Sequence, residues 1–253
     1  MGISYNPSIV SSGLVLALDA GNPRSYPGTG EIWTDLSGRG NNATRTNIGG
    51  YGGQVTYNSS GFFDFSMNTP TSYATASDGN GFTMSSVIVP TTGSFTLNTF
   101  VRRNISVKAA GDRETIFSNT SSSDGWRFGM TDTGGVYYLI GGVGGFGYQE
   151  GGLGGSTLNN GNWHMMTAVF DRAAQLGSYT IYGYVDGIVS GSVAIAAGAG
   201  GNVAIPTYEP GIGYRGCCDI FAGQISTMSA YNRALTAAEV RQNFSAIRSR
   251  YGI

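Results

Sequence analysis

Along "GSFTLNTFVRR" (Gly93–Arg103), Phe95, Leu97 and Val101 alternate with Thr96, Asn98 and Arg102. That period of two places one strand face on a core and the other toward solvent, so a half-buried strand is expected. Similar short apolar segments recur along the chain. "GLVLALDAG" (Gly13–Gly21) predicts an early buried strand, "GFFDF" (Gly61–Phe65) a short one, and "ETIFSN", "GWRFGMT" and "GGVYYLIGG" (Gly134–Gly142) three more. "GNWHMMTAVFD" (Gly161–Asp171) and "GSYTIYGYVDGIVSGSVAI" (Gly177–Ile195) predict three successive strands. Asp186-Gly187, between two apolar runs, suits a two-residue hairpin turn that needs positive φ. "FAGQISTMSAYN" (Phe221–Asn232) predicts the last strand.

A helical period occurs once, in and after "YNRALTAAEVRQNF" (Tyr231–Phe244). Thr236 and Glu239 have capping-box spacing, and Leu235 and Val240 are placed as a hydrophobic staple. Val240, Phe244, Ile247 and Tyr251 then follow at steps of four, three and four, one helical face. The spacing predicts a helix over 237–250, with Arg248 and Arg250 toward its negative pole and Gly252 as its stop. Its apolar stripe must lie on the strands, either packed on a sheet or closing an edge.

Many short strands and one helix indicate a single all-β domain of two packed sheets. Its expected extent is residues 13–253, after an N-terminal extension of residues 1–12. "PGTGEIWTDLSGRGNNATRTN" (Pro27–Asn47) reads as a long turn-rich loop with Trp33 anchored in the core. The glycine-biased stretches Gly134–Gly155 and Ala196–Gly201 read as surface loops or tight strand corners.

Composition narrows the function classes. The 253 residues include 42 glycines without an every-third-residue period, which excludes collagen. Charged residues are only 11% and the net charge is −1, so there is no electrostatic case for a nucleic-acid partner. The 14 basic residues are arginines apart from Lys108, and arginine forks suit fixed interfaces. No basic-then-apolar leader opens the chain and no apolar run reaches membrane-spanning length, so no membrane insertion is expected. The expectation is a protein made and kept in a cytoplasm unless released by lysis. Cys217 and Cys218 are adjacent and read as reduced thiols; without a neighbouring histidine they make a poor zinc site.

The motifs "SFTLNTFVR", "IFSN", "GNWHMMTAVFD", "YVDG", "FAGQIS" and "YNRALTAAEV" resemble, in order and spacing, the concanavalin A-like, laminin G-like jelly-roll family. The resemblance runs from about Gly13 to Gly252 and implies a two-sheet antiparallel sandwich with one short C-terminal helix. More narrowly, "GLVLALDAGNPRSYPGTGEIWTDLSGRGNNAT" and "NRALTAAEVRQNFSAIRSRYG" resemble virion proteins of tailed phages, including those that infect cyanobacteria.

The jelly-roll family that the chain resembles ties each of its chemistries to a residue pattern. Members that cleave β-glucans carry glutamate-x-aspartate-x-x-glutamate on one strand; the five glutamates here, at 31, 114, 150, 209 and 239, never form it. Asp112 and Glu114 are the nearest acidic pair, and they read as an exposed loop instead of the cleft-flanking pair of a glycosidase. His164 is the only histidine and no G-x-S-x-G elbow occurs, so it reads as structural. Many relatives hold one calcium ion, but the usual acidic residue after the "GxI" of the last strand is Ser226 here. "FFDF" keeps Asp64 without the glycine that often follows it. The expectation is no metal and no cofactor, Asp19 and Asp64 being the oxygen ligands left to calcium. Tyr51, Tyr148 and Tyr208, in glycine- or proline-containing loops, are the candidates for a glycan platform, against a reading as ordinary loop packing.

The resemblance implies a non-enzymatic structural protein of a tailed-phage virion, made in the host cytoplasm and displayed on capsid or tail as a decoration or appendage. Its expected partners are other virion proteins and further copies of itself. A start close to the domain, without a long shaft, favours a compact knob over a fibre. The alternative is a carbohydrate-binding adhesion module that recognises host surface glycan, and a glycan-cleaving enzyme ranks third.

Overall fold

The computed structural model describes residues 7–47, 55–65, 80–85, 88–90, 92–103, 113–120, 125–143, 148–155, 158–172, 179–195, 202–203, 209–214 and 219–253. In chain order the first strands are β1 (Leu14–Asp19), β2 (Ile32–Trp33), β3 (Ala43–Asn47), β4 (Thr56–Asn58), β5 (Phe62–Asp64) and β6 (Asn80–Met84). Then come β7 (Phe95–Arg103), β8 (Arg113–Thr120), β9 (Gly125–Thr131), β10 (Val136–Val143), β11 (Tyr148–Gly152) and β12 (Trp163–Arg172). The last are β13 (Tyr179–Val185), β14 (Ile188–Ile195), β15 (Asn202–Val203), β16 (Gly211–Ile212) and β17 (Gly223–Tyr231), before helix α1 (Ala237–Ile247) and a 3-10 turn, Arg248–Tyr251.

Two antiparallel sheets form the sandwich. The first runs β14-β13-β12-β7-β17-β5-β4, with β1 on the second half of β17; the second runs β11-β10-β9-β8-β16-β6-β3-β2, with β15 beside β10. A register shift in β17 between Ile225 and Thr227 lets it exchange β5 for β1 as its neighbour. The main core between the sheets is aromatic. Trp33, Phe63 and Phe82 pack with ring centroids 4.7–5.4 Å apart, and Phe95 stacks on Phe170 at 4.3 Å. The predicted hairpin turn is present, with Asp186 at φ 52° and Gly187 at φ 77°.

The outer face of the first sheet carries a second apolar layer. Val10, Phe100, Met165, Val169, Tyr184 and Tyr231 pack there with Leu235 and Val240, flanked by Phe244, Ile247 and Tyr251. The helix stripe therefore packs on a sheet face instead of closing an edge. The residues ahead of β1 join this layer, since the backbone N–H of Val10 donates to Asn243 Oδ1 at 2.8 Å.

Three expectations are corrected. The alternation in β7 predicted a half-buried strand, yet nearly every residue of it is buried. Phe95, Leu97 and Val101 face the sandwich core, while Phe100 meets α1 and the Thr96 hydroxyl bonds Arg233 O and Leu235 N. Pro27–Asn47 is not a continuous loop: threonine-containing β3 pairs with β6 and carries β2 on its far side. The described part of Gly134–Gly155 is largely strand: β10 and β11 pair from Tyr137–Gly152 to Gly141–Tyr148.

The helix start behaves as its spacing requires. The Thr236 side chain accepts from the Glu239 N–H, and the Glu239 carboxylate accepts from the Thr236 N–H. Two hydrogen bonds from Arg233, at 2.9 and 2.6 Å, hold Glu239 from the other side. Chiefly through Arg233, the Glu239 pKa is lowered from 4.5 to about 2. Its contribution to stability is full above the unfolded value of 4.5 and fades as pH falls toward 2. Glu239→Gln is thus expected to lower the melting temperature at pH 7 and to narrow the gap to wild type at pH 3; a gap that stays constant would contradict this. The predicted dipole role of the terminal arginines is replaced for Arg250, which clamps both carboxylate oxygens of Asp19 at 2.6 and 2.9 Å.

Candidate functional site

Glu114, expected on an exposed loop, lies in β8 with its side chain 1% exposed. Arg103 Nε stands 3.0 Å from Glu114 Oε2, a charge contact without an aligned hydrogen bond. The same guanidinium donates to Asn159 Oδ1 and to the Asp132 carbonyl at 3.2 Å. Burial of both partners leaves the pair as structure, and Asp112 lies outside the described residues.

A second charged cluster is built on β9, β10 and β11. Arg127, 1% exposed, bonds Asp219 through Nη1 and the Tyr137 hydroxyl through Nη2, and lies 3.5 Å from Glu150 Oε2. Tyr137 donates to Glu150, which also takes Arg113. Burial, against the lowering charge of Arg127 and with help from Glu150, raises the Tyr137 pKa well above the usual phenol range. Glycosidic cleavage needs two carboxylates facing an open bond. Here a guanidinium already stands between Glu150 and Asp219.

His164 lies on β12 and is fully engaged, with Nδ1 2.7 Å from Asp186 and Nε2 3.0 Å from Asn160 Oδ1. Asp186 also accepts from Met165 N, so the pair fixes the β13–β14 turn against β12.

The oxygen groups considered for calcium are engaged with protein partners. Ser226 donates to Gly61 O at 2.7 Å and accepts from the Tyr251 hydroxyl. Asp19 is held by Arg250, and Asp64 accepts from Gln224 Nε2 at 3.0 Å. Among the described residues no three His, Cys, Asp or Glu side chains gather around a common point.

Tyr51 and Tyr208 lie outside the described residues, as do Cys217 and Cys218, and Tyr148 is described only as the first residue of β11. The structure instead assembles a row that the sequence reading missed. Trp163, Arg102, Gln224 and Asp64 are register partners across β12, β7, β17 and β5. Arg102 Nε donates to Gln224 Oε1 at 2.6 Å, and Gln224 Nε2 donates to Asp64. The Arg102 guanidinium carbon lies 5.7 Å from the Phe62 ring and 5.4 Å from the Trp163 ring, within cation–π range of both. Arg102 and Trp163 are half-buried, and Nη1 and Nη2 make no hydrogen bond among the described residues. The indole is itself packed on Tyr251 at 4.7 Å and Phe62 at 5.5 Å, and the arginine fork, amide and carboxylate beside it offer hydrogen bonding suited to a polyhydroxylated ligand.

A family model described as the concanavalin A-like lectin/glucanases superfamily matches residues 76–241, more than half of the chain. No curated protein sequence gives a significant match. Among solved structures, the binding domain of Paraclostridial Mosquitocidal Protein 1 superposes with a TM-score of 0.58 at 18% identity, over 92% of this chain and 52% of that one. The binding domain of botulinum neurotoxin DC in complex with SialylT gives 0.62 at 15% identity, over 94% and 52%. The binding domain of botulinum neurotoxin serotype G gives 0.58 at 20% identity, over 91% and 50%. The chain thus spans about half the length of these structures, and at such identities the likeness is one of fold.

Proposed function

The chain belongs to the concanavalin A-like lectin/glucanases superfamily, and on that footing we propose that it is a non-enzymatic recognition module displayed on the particle of a tailed phage. One observation carries the binding reading. The aromatic–arginine row leaves the Arg102 fork open, while Glu114 and Glu150 are held by arginines. Such a surface binds without cleaving. Its ligand in this reading is host surface glycan; the botulinum DC binding domain, about half of which superposes on this chain, is described in complex with SialylT. The particle, its capsid or tail partners and synthesis in the host cytoplasm rest on the resemblance of the opening and closing segments to virion proteins.

The test is an array of host-surface glycans probed with wild type and with Arg102→Met, in calcium and in chelator. Wild type should bind equally in both, because the module is proposed to work without calcium. The variant should bind at least tenfold more weakly while melting within a few degrees of wild type. Equal binding by the variant would remove the row from the account. The protein should also co-purify with intact particles and leave them with denaturant, not with free sugar.

A second reading, assembly by protein contact alone, is favoured by β14. This edge strand of the first sheet carries no charged residue, and Ile188 and Val189 are 66% and 56% exposed. Uncharged edges of that kind are ready templates for pairing with another chain. Co-purification with particles and no glycan binding would select this reading.

A further inference from the structure

A cavity of about 380 Å3 lies between the outer face of the first sheet and α1. Strand register explains it. Ala17, Ser229, Asn98 and Thr167 are paired neighbours across β1, β17, β7 and β12, so short side chains form one outward row. The flanking rows are bulkier: Leu14, Tyr231, Thr96 and Val169 on one side, and Asp19, Thr227, Phe100 and Met165 on the other. The helix layer packs against these bulkier rows and bridges the short one, with Ile247, Asn243 and Ile9 closing the roof. Protein interiors are otherwise packed with few voids larger than a water molecule. A space of this size falls within the range of small-molecule sites, roughly 300–1,000 Å3.

The lining determines what can enter. Its two buried amides, Asn98 and Asn243, are already bonded to neighbouring groups. Asn98 Oδ1 accepts from the Thr167 hydroxyl at 2.7 Å, and its Nδ2 donates to Ser229 at 3.3 Å. Asn243 accepts from Val10 N at 2.8 Å and donates to the Tyr231 hydroxyl at 3.0 Å. A ligand that carried hydroxyl groups inward would lose water and find few partners. Water would be poorly held for the same reason. At the rim stands the Asp19–Arg250 pair, with side chains 21% and 38% exposed. We infer that this cavity is a binding site for the aliphatic chain of an amphiphile, the chain lying over Ala17, Ser229 and Phe100 and the polar end resting at the Asp19–Arg250 rim. The site is separate from the Arg102 row and holds whether or not that row binds glycan.

The test titrates the full chain with 1-octanol by calorimetry and by melting, with an octanediol that carries a hydroxyl at each end as control. Saturable octanol binding that raises the melting temperature is expected, with the diol at least tenfold weaker. Ala17→Leu fills the space and should weaken octanol at least tenfold while leaving glycan binding unchanged; Ser229→Val serves the same purpose if the first variant does not fold. No saturable binding by wild type up to the solubility of octanol would overturn the inference. So would equal binding of the diol, or undiminished octanol binding by a filled variant that melts cooperatively.

Discussion

Replacement of Glu114 by alanine is expected to cost about 3–5 kcal/mol, because it leaves the Arg103 charge buried without its carboxylate. Both side chains are nearly inaccessible, at 2% and 1% exposure, so solvent offers little relief. For a domain of this length each kcal/mol lowers the melting temperature by roughly 2–4 °C, which places the fall on the order of 10 °C. The double variant Arg103→Met/Glu114→Leu removes both charges and should recover most of the loss. Recovery identifies the pair as structure. If the double variant were no more stable than Glu114→Ala, then Arg103 would have a role in packing or hydrogen bonding that the pair alone does not explain, its contacts with Asn159 and Asp132 being the first to examine.

Trp33→Ala is the second large effect, at about 3–5 kcal/mol for a fully buried indole. Trp33 is 0% exposed and packs against Phe63 at 4.8 Å and Phe82 at 5.4 Å, joining the two sheets. The variant leaves a cavity where the edge of the second sheet meets the first. Trp33→Phe should lose markedly less, since the indole N–H makes no hydrogen bond among the described residues. Denaturant midpoints of the three proteins check this ordering. Equal losses for Phe and Ala would show that the site needs the indole itself.

What could be read from the sequence was local. The capping box needs only Thr236 and Glu239, three residues apart, and the β13–β14 turn only Asp186 and Gly187; both formed. The core face of β7 was also legible, because alternation fixes which side chains share a face. Burial of its other face was not, since that required knowing where a helix more than a hundred residues away would land. The Arg102 row was hidden for the same reason. Gln224 is 122 residues from Arg102 and 160 from Asp64, and only the strand order brings them together. Glycine and proline mark loops in a sequence, whereas the assembled row lies on strands. Glu114 misled because acidic residues are seldom buried unless paired, and its partner Arg103 became visible only in the fold.

The central claim is recognition without cleavage. The most direct measurement titrates the full chain with host-surface polysaccharide and counts reducing ends in the same sample after prolonged incubation. Saturable binding that Arg102→Met weakens at least tenfold, with no new reducing ends, is the predicted result. Accumulating reducing ends that vanish in Glu150→Gln would contradict it and make the Arg127–Tyr137–Glu150 cluster a catalytic centre.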